Sequence, residues 1–93
     1  MSTNRLSESA ERNRAYWRSR RGLLELDLLL PPFVTACYEA LTPTQKRAYG
    51  ALLECDDHDV WDWLQRRSTP PDADLAALID VIRAFNDRVG RDD

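Results

Sequence analysis

The sequence predicts an all-α protein, a compact bundle of about five helices, and three observations carry that prediction. Apolar residues recur at three- and four-residue spacings along nearly the whole chain, which is the period of one face of an α-helix. No stretch of alternating β-branched residues reads as a strand. Helix start and stop signals punctuate the pattern at short intervals, so the connections are turns rather than long loops.

The first helix is expected from about Glu8 to Arg20, with Leu6, Ala10, Asn13 and Trp17 on its inner face and arginines over most of the rest. Such a thin apolar stripe makes the helix dependent on docking against a neighbour. Gly22 follows, suited to ending that helix or starting the next because it takes backbone angles other residues resist. The second helix places six leucines in the eight positions from Leu23 to Leu30; apolar on nearly all sides, it is expected to be the most buried. Pro31-Pro32 should then interrupt it, since neither proline donates a backbone hydrogen bond and Pro32 restricts Pro31. A kink and a short helix through Phe33, Cys37 and Tyr38 are expected.

Thr42-Pro43-Thr44-Gln45 is the clearest start signal: Thr42 caps, Pro43 suits the first turn, and Gln45 stands three residues after the cap. The helix it opens should run to about Cys55, burying Ala48, Tyr49, Leu52 and Leu53. Asp56-Asp57-His58-Asp59 begins the next, where carboxylates favour the positive end of the helix dipole. There Val60, Trp61 and Leu64 are expected inward and Trp63 elsewhere, because residues two apart do not share a helix face. Ser68-Thr69-Pro70-Pro71 is a loop, and Asp72 caps a last helix carrying Leu75, Leu78, Ile79, Ile82, Phe85 and Val89 on one face, ended by Gly90.

At 93 residues the chain is read as one helical-bundle domain over 1–93, with 1–7 a flexible lead. Hydrophobic residues at 43% and charged residues at 31% fall in the ordinary range of soluble domains. No apolar run approaches the roughly 18 residues of a membrane span. Met1-Ser2-Thr3-Asn4-Arg5 lacks the apolar core of a secretory signal, and Glu8 and Glu11 argue against a mitochondrial presequence. The expected place is the bacterial cytoplasm, with no membrane partner. In a reducing compartment, Cys37 and Cys55 are expected as small buried groups rather than a disulfide.

Charge is divided along the chain. Residues 5–21 hold six arginines against Glu8 and Glu11, a net of +4, whereas 22–93 hold seven basic and fourteen acidic residues, a net of −7. The basic first helix, with Tyr16 and Trp17, suggests an alternative function as a nucleic-acid-binding or antitoxin-like regulator, since arginines meet phosphates and aromatics stack on bases. A pI near 5.1 weighs against it, so no nucleic-acid partner is expected.

Chemistry of the chain's own is not expected. The single histidine, His58, stands among aspartates without the base-and-orienter arrangement that a hydrolytic nucleophile needs. Cys55, Asp56, Asp57 and His58, with Cys37 upstream, lack the paired spacings of a zinc site, and the carboxylates serve as caps. Gly22, Gly50 and Gly90 are too far apart to form a phosphate-cradling loop. The sequence therefore assigns no catalytic residue, no metal site and no cofactor-binding site.

Arg21, Gly22 and Glu25 sit where the basic segment meets the leucine-rich one, and two compatible roles remain open. Gly22 is an N-cap with Glu25 acting on the helix dipole three positions on. Alternatively the corner meets a partner. Arg21 precedes Glu25 by four, the less favourable order for a stabilising ion pair, and a glycine leaves bare backbone beside an arginine able to grip a carboxylate.

The stretch Arg21-Gly22-Leu23-Leu24-Glu25-Leu26-Asp27, together with Leu52-Leu53-Glu54-Cys55-Asp56-Asp57-His58-Asp59-Val60-Trp61-Asp62-Trp63-Leu64, resembles the succinate dehydrogenase assembly factor family. The two segments stand in the family's order and spacing, and the likeness covers roughly positions 11–89. The resemblance implies a five-helix bundle that binds the flavoprotein subunit of succinate dehydrogenase, with fumarate reductase as a second candidate, and promotes covalent attachment of FAD. It implies that the R-G-x-x-E surface docks near the flavin-linking histidine, that FAD belongs to the partner, and that the chain is no enzyme. Arg21, Gly22 and Glu25 are carried over by motif match, with Asp27 in the extended motif. Arg14, Trp17 and Arg20 are added because a basic face on the preceding helix would extend the same surface. His58 stands where many members have proline.

Overall fold

The structure, a computed structural model, describes residues 2–91, with side chains from 10 to 88. Among the described residues there are five α-helices and no strand, as expected: α1 Ser2–Arg18, α2 Leu24–Cys37, α3 Pro43–Leu53, α4 Asp57–Leu64 and α5 Ala73–Arg91, with a short 3-10 turn at Tyr38–Ala40. The chain divides into two units, Met1–Leu41 and Thr42–Asp93.

In the first unit α1 packs on α2 and on the 3-10 turn. It begins at Ser2 rather than Glu8 and stops at Arg18. Its inner face differs from the expected one. Ala15 and Ser19 are buried, whereas Ala10, Asn13 and Trp17 are exposed; the side chain of Leu6 and the proposed flexible lead fall outside the residues whose side chains are described. Two small residues one turn apart permit close helix approach. Ser19, fully buried, satisfies its hydroxyl by donating to the Ala15 carbonyl at 2.6 Å.

α2 corrects two expectations. The prolines do not interrupt it; Pro31 and Pro32 lie inside a continuous helix. Leu26, Leu30, Phe33 and Val34 are buried along one face, and at about 1.5–3 kcal/mol per buried side chain they outweigh two prolines at about 3 kcal/mol each. Nor is the helix buried all round. Leu26 is inaccessible, but Leu24 and Leu28 are 69% and 65% exposed.

The second unit follows its local signals. Thr42 and Gln45 form a reciprocal capping box: the Gln45 amide donates to Thr42 Oγ1 at 3.1 Å and the Thr42 amide to Gln45 Oε1 at 2.9 Å. Asp56 accepts from the His58 amide at 2.8 Å and Asp72 from the Leu75 amide at 2.9 Å. α3 and α4 pack on α5 through Ala48, Tyr49, Leu52, Val60, Leu64 and the α5 row Leu75, Leu78, Ile79 and Ile82. Three details differ. Leu53 is only half-buried. Trp63 is the buried tryptophan and Trp61 the half-covered one, because Val60, Trp63 and Leu64 share the i, i+3, i+4 face. α5 continues through Gly90 to Arg91, and the Val89 side chain lies outside those described.

An unexpected stop signal closes α4. The Arg66 amide donates to the Trp63 carbonyl at 3.2 Å and the Arg67 amide to the Asp62 carbonyl at 2.9 Å, with Arg66 at φ +64°. This is the Schellman arrangement, formed here with arginine at the left-handed position that glycine usually takes. Cys37 and Cys55 form no disulfide and are half-buried rather than buried.

Candidate functional site

The corner after α1 is built by backbone hydrogen bonds in sequence order. The Ser19 amide donates to the Ala15 carbonyl at 2.9 Å, and the Arg20 amide to Trp17 at 3.2 Å, closing the helix. Gly22 then turns the chain at φ +87°, a conformation that costs an L side chain about 1–2 kcal/mol. Nothing lies within 4 Å of where a Cβ would stand, so the turn rather than crowding requires glycine. Leu23, extended, is the N-cap of α2 and has no side-chain cap. Gly22 is therefore not the N-cap, since its positive φ puts it one residue before the helix entry.

Asp27 takes the place of a cap. Its carboxylate accepts the Arg21 amide at 2.7 Å, while its own amide donates to the Leu23 carbonyl at 2.9 Å. One residue thus fastens both sides of the Gly22 turn. A short bond to a carboxylate is charge-assisted and stronger than a neutral one. Glu25 lies exposed in the first turn of α2, where the dipole favours a carboxylate.

Beside the corner, α1 and α2 flank a groove of about 550 Å³, to which α1 contributes Tyr16, the turn after it Arg20, and α2 Leu24, Asp27, Leu28 and Pro31. A second groove of about 430 Å³ shares Tyr16 and Thr35 with it and adds Asn13 and Trp17. Trp17 is 65% exposed and meets Tyr16 edge to face, with ring centroids 5.4 Å apart. Arg12, which also lines the second groove, pairs with Glu39 of the 3-10 turn at 3.3 Å. Burial pushes the Tyr38 hydroxyl pKa up, Glu11 adds to that, and the Arg14 guanidinium partly offsets it.

All seven residues named from the sequence lie in the first unit. Arg21, Gly22 and Asp27 form the corner. Arg20 and Asp27 line the larger groove, Trp17 lines the smaller, and Glu25 projects one turn along. Arg14 is exposed and lines neither groove. Sequence reasoning missed Tyr16, Leu24, Leu28, Pro31 and Thr35. The available signal was the spacing 24, 28, 31, 35, a helical row distinct from the buried row of Leu26, Leu30 and Phe33. Among the described residues no group of three or more His, Cys, Asp or Glu could hold a metal ion, and no helix is long and apolar enough to cross a membrane.

Fold and site together define a small all-α protein with a fastened glycine corner and an exposed apolar groove at the junction of its first two helices. A family model described as the flavinator of succinate dehydrogenase matches residues 13–86, and the chain belongs to this family. It is 43% identical over 77 residues to a protein named FAD assembly factor SdhE of Pseudomonas aeruginosa, covering 83% of this chain and 92% of that one. Proteins of the same name in Pseudomonas savastanoi pv. phaseolicola and Vibrio parahaemolyticus are 44% and 40% identical over 81% and 82% of this chain, which is 89% and 88% of theirs. The family expected from the two motifs is thus confirmed, and the matched span holds all seven named residues.

Proposed function

We propose that this protein is a cytoplasmic, non-catalytic assembly factor, folding as one domain, that binds the flavoprotein subunit of succinate dehydrogenase and promotes covalent attachment of FAD to it. The corner supplies the main support. Asp27 and Gly22 fix the backbone, so that Arg21 and Glu25 meet the partner from a rigid support. Preorganised contacts lose less conformational freedom on binding than mobile ones. Arg21 offers a planar fork for a carboxylate or carbonyl of the partner, Glu25 offers the opposite charge, and Arg14, Trp17 and Arg20 widen the surface. Fumarate reductase, with a flavoprotein subunit of its own, is a second client in this proposal.

FAD enters as a substrate of the partner. The larger groove is mostly apolar, with Arg20 and Asp27 as its charged members; a carboxylate beside a single arginine does not fit the paired phosphates of a dinucleotide. The bond to flavin forms on the partner, and this chain contributes binding and orientation.

Deletion of the gene should leave the flavoprotein subunit without covalently bound flavin, seen as loss of in-gel flavin fluorescence after denaturation. Glu25→Ala should restore fluorescence poorly while retaining the wild-type helical circular dichroism and melting. Unchanged covalent flavin in the deletion strain would overturn the proposal. Gly22→Arg is a less decisive variant, because the positive φ adds a folding cost.

A further inference from the structure

We infer that the α1–α2 groove is a second contact region, one that receives an acidic amphipathic helix of the flavoprotein; this rests on the docking role proposed above. Leu24, Leu28, Pro31 and Thr35 follow each other at spacings of four, three and four, which puts them on a single face of α2. Leu24 and Leu28 are 69% and 65% exposed, and Trp17 in the adjoining groove is 65% exposed. These are the large hydrophobic residues left in water among the described residues, and all three gather at this junction. α2 thus carries, beside its buried row, a second face on which Leu24 and Leu28 stay in water while Pro31 is buried.

Backbone chemistry adds polar recognition along the same row. Pro31 and Pro32 have no amide hydrogen, so the carbonyls of Asp27 and Leu28, four residues earlier, lose their α-helical donors. Those carbonyls lie in the groove-lining stretch, where a donor side chain of a docked segment satisfies them. A row of side chains at helical spacing accepts the ridge of another helix.

Charge selects the occupant. Arg20, just past the end of α1, lines the groove, and Arg14 and Arg18 of α1 are exposed outside its lining, in a segment whose net charge over 5–21 is +4. A second copy docking through the same face would bring those arginines against each other, a repulsive arrangement. Anionic lipid would match the charge, but it wants a projecting apolar face. Here the leucines line a concavity that also contains the Asp27 carboxylate. A helix with an apolar row flanked by Asp or Glu matches both the concavity and the arginines.

The test measures binding of purified flavoprotein subunit to the full-length wild type, Leu28→Glu, Leu24→Glu/Leu28→Glu, Arg20→Gln and Glu25→Ala by calorimetry at low and high salt, with circular dichroism checking each fold. Leu28→Glu is expected to weaken binding about tenfold and the double variant further. Arg20→Gln should weaken it at low salt and much less at high salt. If the wild type binds and Glu25→Ala weakens it while both leucine variants bind as the wild type, the groove is not a contact and the inference falls alone. If the wild type itself does not bind, the docking role falls and takes the inference with it. Groove variants that abolish sedimentation with phosphatidylglycerol vesicles, or self-association, while leaving flavoprotein binding unchanged would also overturn it.

Discussion

Replacing Asp27 with alanine should loosen the corner without unfolding the helices around it. The substitution removes the acceptor of the Arg21 amide, a 2.7 Å bond that is partly buried. Hydrogen bonds to charged groups contribute about 1.5–3 kcal/mol, and partial solvent access places this one near the lower end. Loss of a carboxylate from the first turn of α2 adds about 0.3–1 kcal/mol. The sum, about 2 kcal/mol, corresponds to roughly a thirtyfold shift in the local opening equilibrium. Amide hydrogen exchange followed by NMR measures that opening directly: the Arg21 amide should exchange about thirty times faster in Asp27→Ala than in the wild type. Asp27→Asn, which keeps an acceptor oxygen but loses the charge, should fall between the two. Equal exchange at Arg21 in the wild type and Asp27→Ala would show that the carboxylate does not hold the turn.

Three further outcomes can be measured on the purified protein. Leu26→Ala, at an inaccessible site, should cost about 2–5 kcal/mol in urea unfolding, while Leu28→Ala, at a 65% exposed site two positions on, should cost well under 1 kcal/mol. Arg66→Gly should stabilise the protein by about 1 kcal/mol, because Arg66 holds φ +64° and its contact with Asp87 at 3.8 Å is an exposed pair of little value; an unchanged urea midpoint would refute this. Tyr38 keeps its proton more tightly folded than unfolded. Its contribution is therefore complete below the unfolded tyrosine pKa of about 10 and is lost as pH rises through the higher folded value. Urea stability should decline above pH about 10, less steeply in Tyr38→Phe.

Sequence patterns exposed those parts of the fold whose causes are local. The Thr42–Gln45 box and the Asp56 and Asp72 caps involve groups two or three residues apart, and α5 repeats its apolar row long enough to fix its face. The missed features depend on competition between faces. On α1 and in the turn that ends it, Ala15 and Ser19 have too little hydropathy to mark an inner face, while Trp17 drew attention to the wrong one. On α4, both Val60-Trp61-Leu64 and Val60-Trp63-Leu64 satisfy a helical spacing, and only packing chooses between them. On α2 the abundance of leucine concealed two rows with different fates. At the corner, the sequence marked Arg21, Gly22 and Glu25 but not the bond from the Arg21 amide to Asp27, because a six-residue separation follows no helical spacing.

The corner also assigns its residues to separable tasks. Asp27 turns its carboxylate back to the chain, Glu25 exposes its own, and Gly22 supplies the turn that precedes them without any neighbour that a Cβ would strike. Asparagine enters the left-handed region more readily than other residues with a Cβ, so Gly22→Asn should recover much of the stability that Gly22→Ala loses. Flavoprotein binding then decides between two uses of the glycine. If the turn alone matters, Gly22→Asn should bind nearly as the wild type does. If the partner lies against the bare Cα, Gly22→Asn should fold well and still bind poorly, because its side chain fills space that is open in the free protein and closed in the complex.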